Sequence, residues 1–171
     1  MKAHFLLFTL VFLFPVLNAH TQDSPFSKPS VSVGLVVSNL EQSLDFYINT
    51  IGMVKTGGFD INADFGKKSG LSDGVPFSVT ILKLENSDQA GEWKVVSFNK
   101  KIKHRKPKHV QDDLGMQYIT IFVNHLQPII DRLKQKGVKF LGETPIELAK
   151  DRHFALVQDP DGNFLELIGP M

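Results

Sequence analysis

Residues 154–167 read Phe-Ala-Leu-Val-Gln-Asp-Pro-Asp-Gly-Asn-Phe-Leu-Glu-Leu. Two apolar stretches flank the five polar residues Asp159-Pro160-Asp161-Gly162-Asn163. An Asp-Gly pair between apolar runs is a strong tight-hairpin signal, because glycine takes the positive φ that such turns require. The flanks, His153 to Gln158 and Phe164 to Ile168, are therefore antiparallel strands. Asp159, Asp161 and Asn163 share the first three spacings of a calcium loop, but glycine falls at the fourth position rather than the sixth. Position twelve is Pro170, so the hairpin reading wins.

Upstream of this hairpin lies half of a repeat. Tyr118 to Val123 is a β-branched and aromatic strand, and Leu126, Ile129, Ile130 and Leu133 follow at helical spacing, with Gly137 as the stop. Much earlier, Val31 to Val37 is a strand. Asn39 then serves as N-cap with Gln42 as its capping-box partner, and Leu40, Leu44, Tyr47, Ile48 and Ile51 recur at helical spacing before Gly52. Val37 matches Val123, Leu40 matches Leu126, Leu44 matches Ile130 and Asp45 matches Asp131, each 86 residues apart. Gly52 and Gly137 fall one residue short of that offset. After the first helix come strands at Met53 to Phe59, Phe77 to Leu84 and Trp93 to Phe98. Loops at Asp60 to Gly74 and Glu85 to Glu92 separate them. After the second come Val138 to Leu141 and the two hairpin strands. Each copy reads strand–helix–strand–strand–strand, and duplicated units of this kind pair to bury their apolar faces.

The whole chain has 171 residues, 42% hydrophobic and 22% charged, which is a globular composition. It has no Cys, which excludes disulfides, thiolate zinc sites and a cysteine nucleophile. A net charge of +1 gives no field that would recruit nucleic acid, and no nucleic-acid partner is expected. Residues 1–19 carry an early Lys2, the apolar run Phe5 to Phe14 and a small residue at Ala19, the pattern of a signal peptide. The run is short for a membrane span, which needs about 20 apolar residues, so no stable span is expected after cleavage and the product is secreted or periplasmic. Residues 20–30 read as a flexible lead-in. Residues 31–171 form one domain, with module one at 31–99, a linker at 100–114 and module two at 115–171. The linker holds six Lys or Arg between 100 and 108, read as a solvated run in preference to a polyanion contact.

The doubled βαβββ order, the opening Val36-Val37-Ser38-Asn39-Leu40-Glu41-Gln42-Ser43-Leu44-Asp45-Phe46-Tyr47 and the closing hairpin together resemble the vicinal oxygen chelate superfamily. That group includes glyoxalase I, methylmalonyl-CoA epimerase, extradiol dioxygenases, and bleomycin- and fosfomycin-resistance proteins. The resemblance covers nearly all of the domain and implies an α+β fold, with two paired βαβββ modules forming a cup-shaped mixed sheet. It also implies a small-molecule ligand in the cup and modules paired within one chain or across a homodimer. Both pairings stay open at this point.

In this superfamily a divalent metal typically sits in the cup, held by His, Gln or Glu on the first and last strands of each module. Position by position, the resemblance brings Glu166 onto the last strand of module two, Tyr118 (with Gln117 adjacent) onto its first strand, and Ser32 onto the first strand of module one. The last strand of module one, Trp93 to Phe98, offers neither carboxylate nor imidazole. Hydroxyls are poor ligands for such ions, so a divalent metal is allowed by the family but its ligand positions are largely lost. Glu166 is then expected to be an acidic anchor or general base at the floor of the cup, with Ser32, Tyr118 and Gln117 as ligand contacts. The bland alternative is a buried carboxylate satisfied by hydrogen bonds from Tyr118 and Ser32, with no catalysis. His153, beside Arg152, is a candidate contact on the cup rim, set against a solvent-side reading.

Gly70-Leu71-Ser72-Asp73-Gly74 matches the nucleophile-elbow pattern but lacks the strand before it and the helix after it, so no serine nucleophile is assigned. Trp93, Phe98, Phe122 and Phe154 read as core or cup lining. Three functions remain: a glyoxalase-like protein binding or transforming a small oxygenated molecule without tightly held metal; a metal-dependent lyase, epimerase or dioxygenase; and a sequestering protein without catalysis.

Overall fold

A computed structural model describes residues 24–100 and 105–171. Residues 1–19, read above as a signal peptide, lie outside the described residues, as do the first residues of the lead-in and part of the basic run. The described chain forms eight strands in two four-stranded sheets. In the first, β1 (Val33–Val36), β2 (Val54–Ile61), β3 (Phe77–Lys83) and β4 (Trp93–Ser97) stand in the order β1-β4-β3-β2. In the second, β5 (Tyr118–Phe122), β6 (Ile146–Ala149), β7 (Arg152–Gln158) and β8 (Phe164–Gly169) repeat that order as β5-β8-β7-β6. The first and last strands of each module pair in parallel and the remaining pairs are antiparallel. These are two βαβββ modules.

The helix of module one starts where its chemistry says it should. The Asn39 side chain accepts a hydrogen bond from the Gln42 amide at 3.1 Å, which satisfies one of the free amides of the first turn. Helix α1 (Leu40–Leu44) then widens into a π-helical stretch, Asp45–Ile51, that buries Phe46, Tyr47, Thr50 and Ile51. Gly52 ends it at φ +105°, a conformation that glycine adopts without the Cβ clash. In module two, α3 (Gln127–Gln135) presents Ile129, Ile130 and Leu133 to the core.

Two expectations are corrected. The stretch Asp60 to Gly74 is not all loop, because α2 (Ala63–Ser69) forms there with Asn62 accepting from the Phe65 amide at 2.9 Å. The third element of module two is not a strand at Val138 to Leu141. Only Phe140 makes a bridge there, to Val157, and the paired strand is β6 further on.

One core serves both modules. Leu35, Val37, Tyr47, Trp93 and Val95 from the first share a buried cluster with Ile121, Leu126, Ile130, Leu133, Ala155 and Leu167 from the second. Burial of these side chains between the helices and one face of each sheet is the main driving force for pairing the modules. Polar bonds fix the pairing geometry. Arg132 on α3 donates to the carbonyl oxygens of Thr50 and Ile51 at 2.7 and 3.1 Å, where the π-helical stretch leaves them free. Lys136 reaches Asp45 at 2.9 Å. The modules therefore pair within this one chain.

The closing hairpin is the second clasp. Asp159 is buried, and its carboxylate accepts from the amides of Asp161 and Asn163, from the Asn163 side chain at 2.9 Å and from the Tyr47 hydroxyl at 2.7 Å. Asp161 accepts from the Ser38 amide at 3.2 Å. The two aspartates thus tie the end of module two to the first strand and helix of module one. Burial, then the charge of Asp159, pushes the Tyr47 hydroxyl well above its ordinary pKa, so it stays a donor.

Candidate functional site

Strand register decides which side chains look away from the helices. Leu35 and Val37 are buried in the core, so Ser32, Gly34 and Val36 lie on the opposite face of β1. Pairing carries that face across the sheet, through Gly34, Lys94, Ile81 and Gly57 in one row and Val36, Val96, Val79 and Phe59 in the next. In module two the matching rows are Tyr118, Phe164 and Gln158; then Thr120, Glu166 and Leu156; then Phe122, Ile168, Phe154 and Ile146. Much of this face is apolar and open. Tyr118 is 52% exposed and Phe122 is 66% exposed, with Arg152 stacked 5.6 Å from the Phe122 ring centre. Phe122 and Phe154 thus line this face, while Trp93 belongs to the core and Phe98 packs 4.8 Å from Phe77.

Residues of β1 and β5 face one another across a seam between the modules. A cavity of about 130 Å³ at this seam is lined by Gly34, Gln117, Tyr118, Asn163 and Phe164, with Trp93 beneath. The seam brings the first strands of both modules to one site. Gln117 is half-buried there, and its carbonyl accepts from the Phe164 amide at 3.4 Å.

Glu166 is half-buried on this face and holds a hydrogen bond of 2.5 Å from the Thr120 hydroxyl. The expected donors, Tyr118 and Ser32, are not its partners. Tyr118 stands one pleat earlier, opposite Phe164, while Thr120 is the residue directly across from Glu166. Ser32 instead donates to Glu92 at 3.1 Å, and this bond, ahead of Lys94 and Lys28, holds the Glu92 carboxyl below its usual range. His153 is also displaced from its expected place. It shares a face with Ala155 and Val157, opposite to Glu166, so the period-two alternation of β7 points it away from the cup. Ser72 sits after α2 rather than on a strand-to-helix turn, and its hydroxyl donates to the Val75 carbonyl at 2.8 Å.

Sequence reasoning missed Glu92 and Lys94. Glu92 lies just before β4, in what reads as a polar loop, yet it gathers Ser32, Lys94 at 3.3 Å and Lys28 at 4.0 Å. Lys94 faces Gly34 in module one as Glu166 faces Thr120 in module two. A cation therefore occupies the position that internal symmetry makes equivalent to the acidic residue. The 86-residue offset does not reach the last strands, because the modules differ in length and Lys94 and Glu166 lie 72 residues apart, so strand pairing is what reveals the equivalence.

The residues present do not fit the family's divalent ion. The positions aligned by the repeat offer two hydroxyls, an ammonium and one carboxylate already bonded to Thr120. Such a donor set lacks the multiple imidazole or carboxylate ligands that a transition metal takes. Among the described residues, no three His, Cys, Asp or Glu side chains come together as ligands.

Two tandem βαβββ units with helices on one face and an open, aromatic concavity on the other define a chelate-type cup protein. The chain belongs to the Glyoxalase/Bleomycin resistance protein/Dioxygenase superfamily, whose family model matches residues 30–167. Among solved structures it is similar to a glyoxalase family protein from Bacillus cereus, at 16% identity and a TM-score of 0.70, covering 88% of this chain and 98% of that one. It is also similar to the trypanothione-dependent glyoxalase I of Leishmania major (19% identity, TM-score 0.56, covering 84% and 87%). A third neighbour is TnmS3, an antibiotic binding protein from Streptomyces sp. CB03234 (19% identity, TM-score 0.54, covering 85% and 99%). At these identities the likeness concerns the fold. No curated protein matches the chain in sequence.

Proposed function

We propose that this protein binds a small, largely apolar, oxygenated molecule in the cup along the β1/β5 seam without a tightly held metal. The observation that carries this reading is the pairing of Lys94 with Gly34 and of Glu166 with Thr120 at symmetry-equivalent positions. A hydrogen-bonded carboxylate in an aromatic face is a polar orienting group, and the exposed rings of Tyr118 and Phe122 supply apolar contact. The fold neighbour described as an antibiotic binding protein is compatible with such a role.

Catechol and 2-naphthol serve as oxygenated aromatic probes, titrated against purified protein with and without EDTA. At least one should bind with the same affinity in both. Glu166→Gln should weaken binding by about tenfold, the effect of losing one charge-assisted hydrogen bond. Stoichiometric Zn, Ni, Mn or Fe held through Glu166 would overturn the metal-free reading. Turnover of 1,2-dicarbonyl–thiol adducts, catechols or acyl thioesters would instead make the cup a catalytic one.

We further propose export, supported by the signal-like pattern of residues 1–19. N-terminal sequencing of the mature protein should begin at His20, and a product that retains Met1 to Ala19 would sink the proposal.

A further inference from the structure

The open face of module two carries two opposite charges that do not meet. Glu166 stands in the row of Thr120 and Leu156. The next row, Phe122, Ile168, Phe154 and Ile146, is apolar throughout. Beyond it, Arg152 shares the face with Phe154 and Leu156, because successive residues of β7 alternate sides. Its side chain crosses β8 and lays the guanidinium over Phe122 on β5, 5.6 Å from the ring centre. Along β5, Phe122 stands two residues past Thr120, about 7 Å at the usual rise of a strand.

Both groups keep unused bonding capacity. Oε2 of Glu166 accepts from Thr120, and among the described residues no donor reaches Oε1. Arg152 is exposed, and its guanidinium pairs with no carboxylate among the described residues. Lys94, the symmetry mate of Glu166 on module one, is by contrast already paired with Glu92 at 3.3 Å. Stacking on an aromatic ring holds a guanidinium flat and leaves its in-plane N–H donors free. That arrangement receives a carboxylate through two parallel bonds, which a lysine ammonium does not reproduce. The apolar row keeps the two charges from neutralising each other, so each is left to a ligand that carries the complementary group. The spacing of the two groups is close to the length of one aromatic ring with its substituents.

We infer that Arg152 is a specificity-determining residue, and that it selects a hydroxyaryl carboxylate as the ligand of this cup. The carboxylate pairs with Arg152, the ring lies on the row of Ile168 and Phe154, and the hydroxyl donates to Glu166. The inference rests on the cup function proposed above and narrows its ligand class. 4-Hydroxybenzoate, 4-hydroxybenzamide and benzoate are the probes, titrated calorimetrically into the full chain at pH 7 beside catechol and 2-naphthol. 4-Hydroxybenzoate should bind at one per chain, at least about tenfold more tightly than its amide or benzoate, the effect of one charge-assisted contact. Arg152→Met should abolish the preference for the acid over the amide and leave the amide within about twofold. Lys150→Met, an equal loss of charge in the adjoining turn, should leave that preference intact. An acid that binds no better than its amide or than benzoate, a preference that survives Arg152→Met, or one lost equally in Lys150→Met would each overturn the inference. If catechol or 2-naphthol binds while the acid shows no advantage, this inference falls and the cup reading stands; if none of the five probes binds, both fall.

Discussion

Removing the hydroxyl of Tyr47 leaves the Asp159 carboxylate with three of its four donors. Tyr47→Phe should therefore destabilise the fold by about 1.5–3 kcal/mol, the range for a hydrogen bond to a charged group, as measured by urea denaturation at pH 7. Its pH dependence has a definite sign. The folded-state pKa is raised, so the protonated form is favoured in the native state. The contribution is fully present below the unfolded value of about 10 and declines as pH rises above it toward the higher folded value. The difference in stability between wild type and Tyr47→Phe should shrink as pH climbs past about 10. At the same scale, Glu166 was legible as the one charge in an apolar strand, but its partner was not. Thr120 is 46 residues away, and only the parallel register of β5 and β8 sets it opposite. His153 failed for a related reason. Its residue type suggests a ligand contact, while strand alternation sends it to the other face.

The hairpin at 159–163 is the element most fully written in local sequence. Asp-Gly called for a tight turn, and Gly162 adopts φ +95°. A Cβ there would also approach Lys106 within 3.0 Å, so turn and connector constrain the position together. Gly162→Ala should cost about 1–3 kcal/mol through backbone strain and should also loosen the connector. Thermal denaturation would report the first effect, and faster amide exchange at Lys108 to Asp112 the second; a variant of unchanged stability would show that this backbone conformation is not required. Short elements were less legible. α2 has only seven residues and carries a glycine and two lysines, so its composition resembles a loop. Its Asn62 cap was readable, but so short a helix depends on the sheet edge it joins. β6 was misplaced because it is an exposed edge strand of only four residues, whereas Val138 to Leu141 nearby reads as an apolar strand.

Across the whole molecule, one shared core predicts one unfolding event. Trp93 lies in module one, whereas backbone circular dichroism reports both modules. Tryptophan fluorescence and far-ultraviolet circular dichroism should give coincident urea transitions. Separate midpoints would show that the clasps at Arg132 and Asp159 do not join the modules into one cooperative unit. The sequence by itself determined the duplicated βαβββ plan and the closing hairpin, because periodicity and turn chemistry are local properties. Tertiary structure alone decided that the modules pair within one chain, that Lys94 mirrors Glu166, that Thr120 bonds Glu166, and that Lys106 and Pro107 of the connector are bonded to module two. Each of these depends on strand register or on contacts between distant segments, and a one-residue slip in register would turn every side chain of a strand to the opposite face.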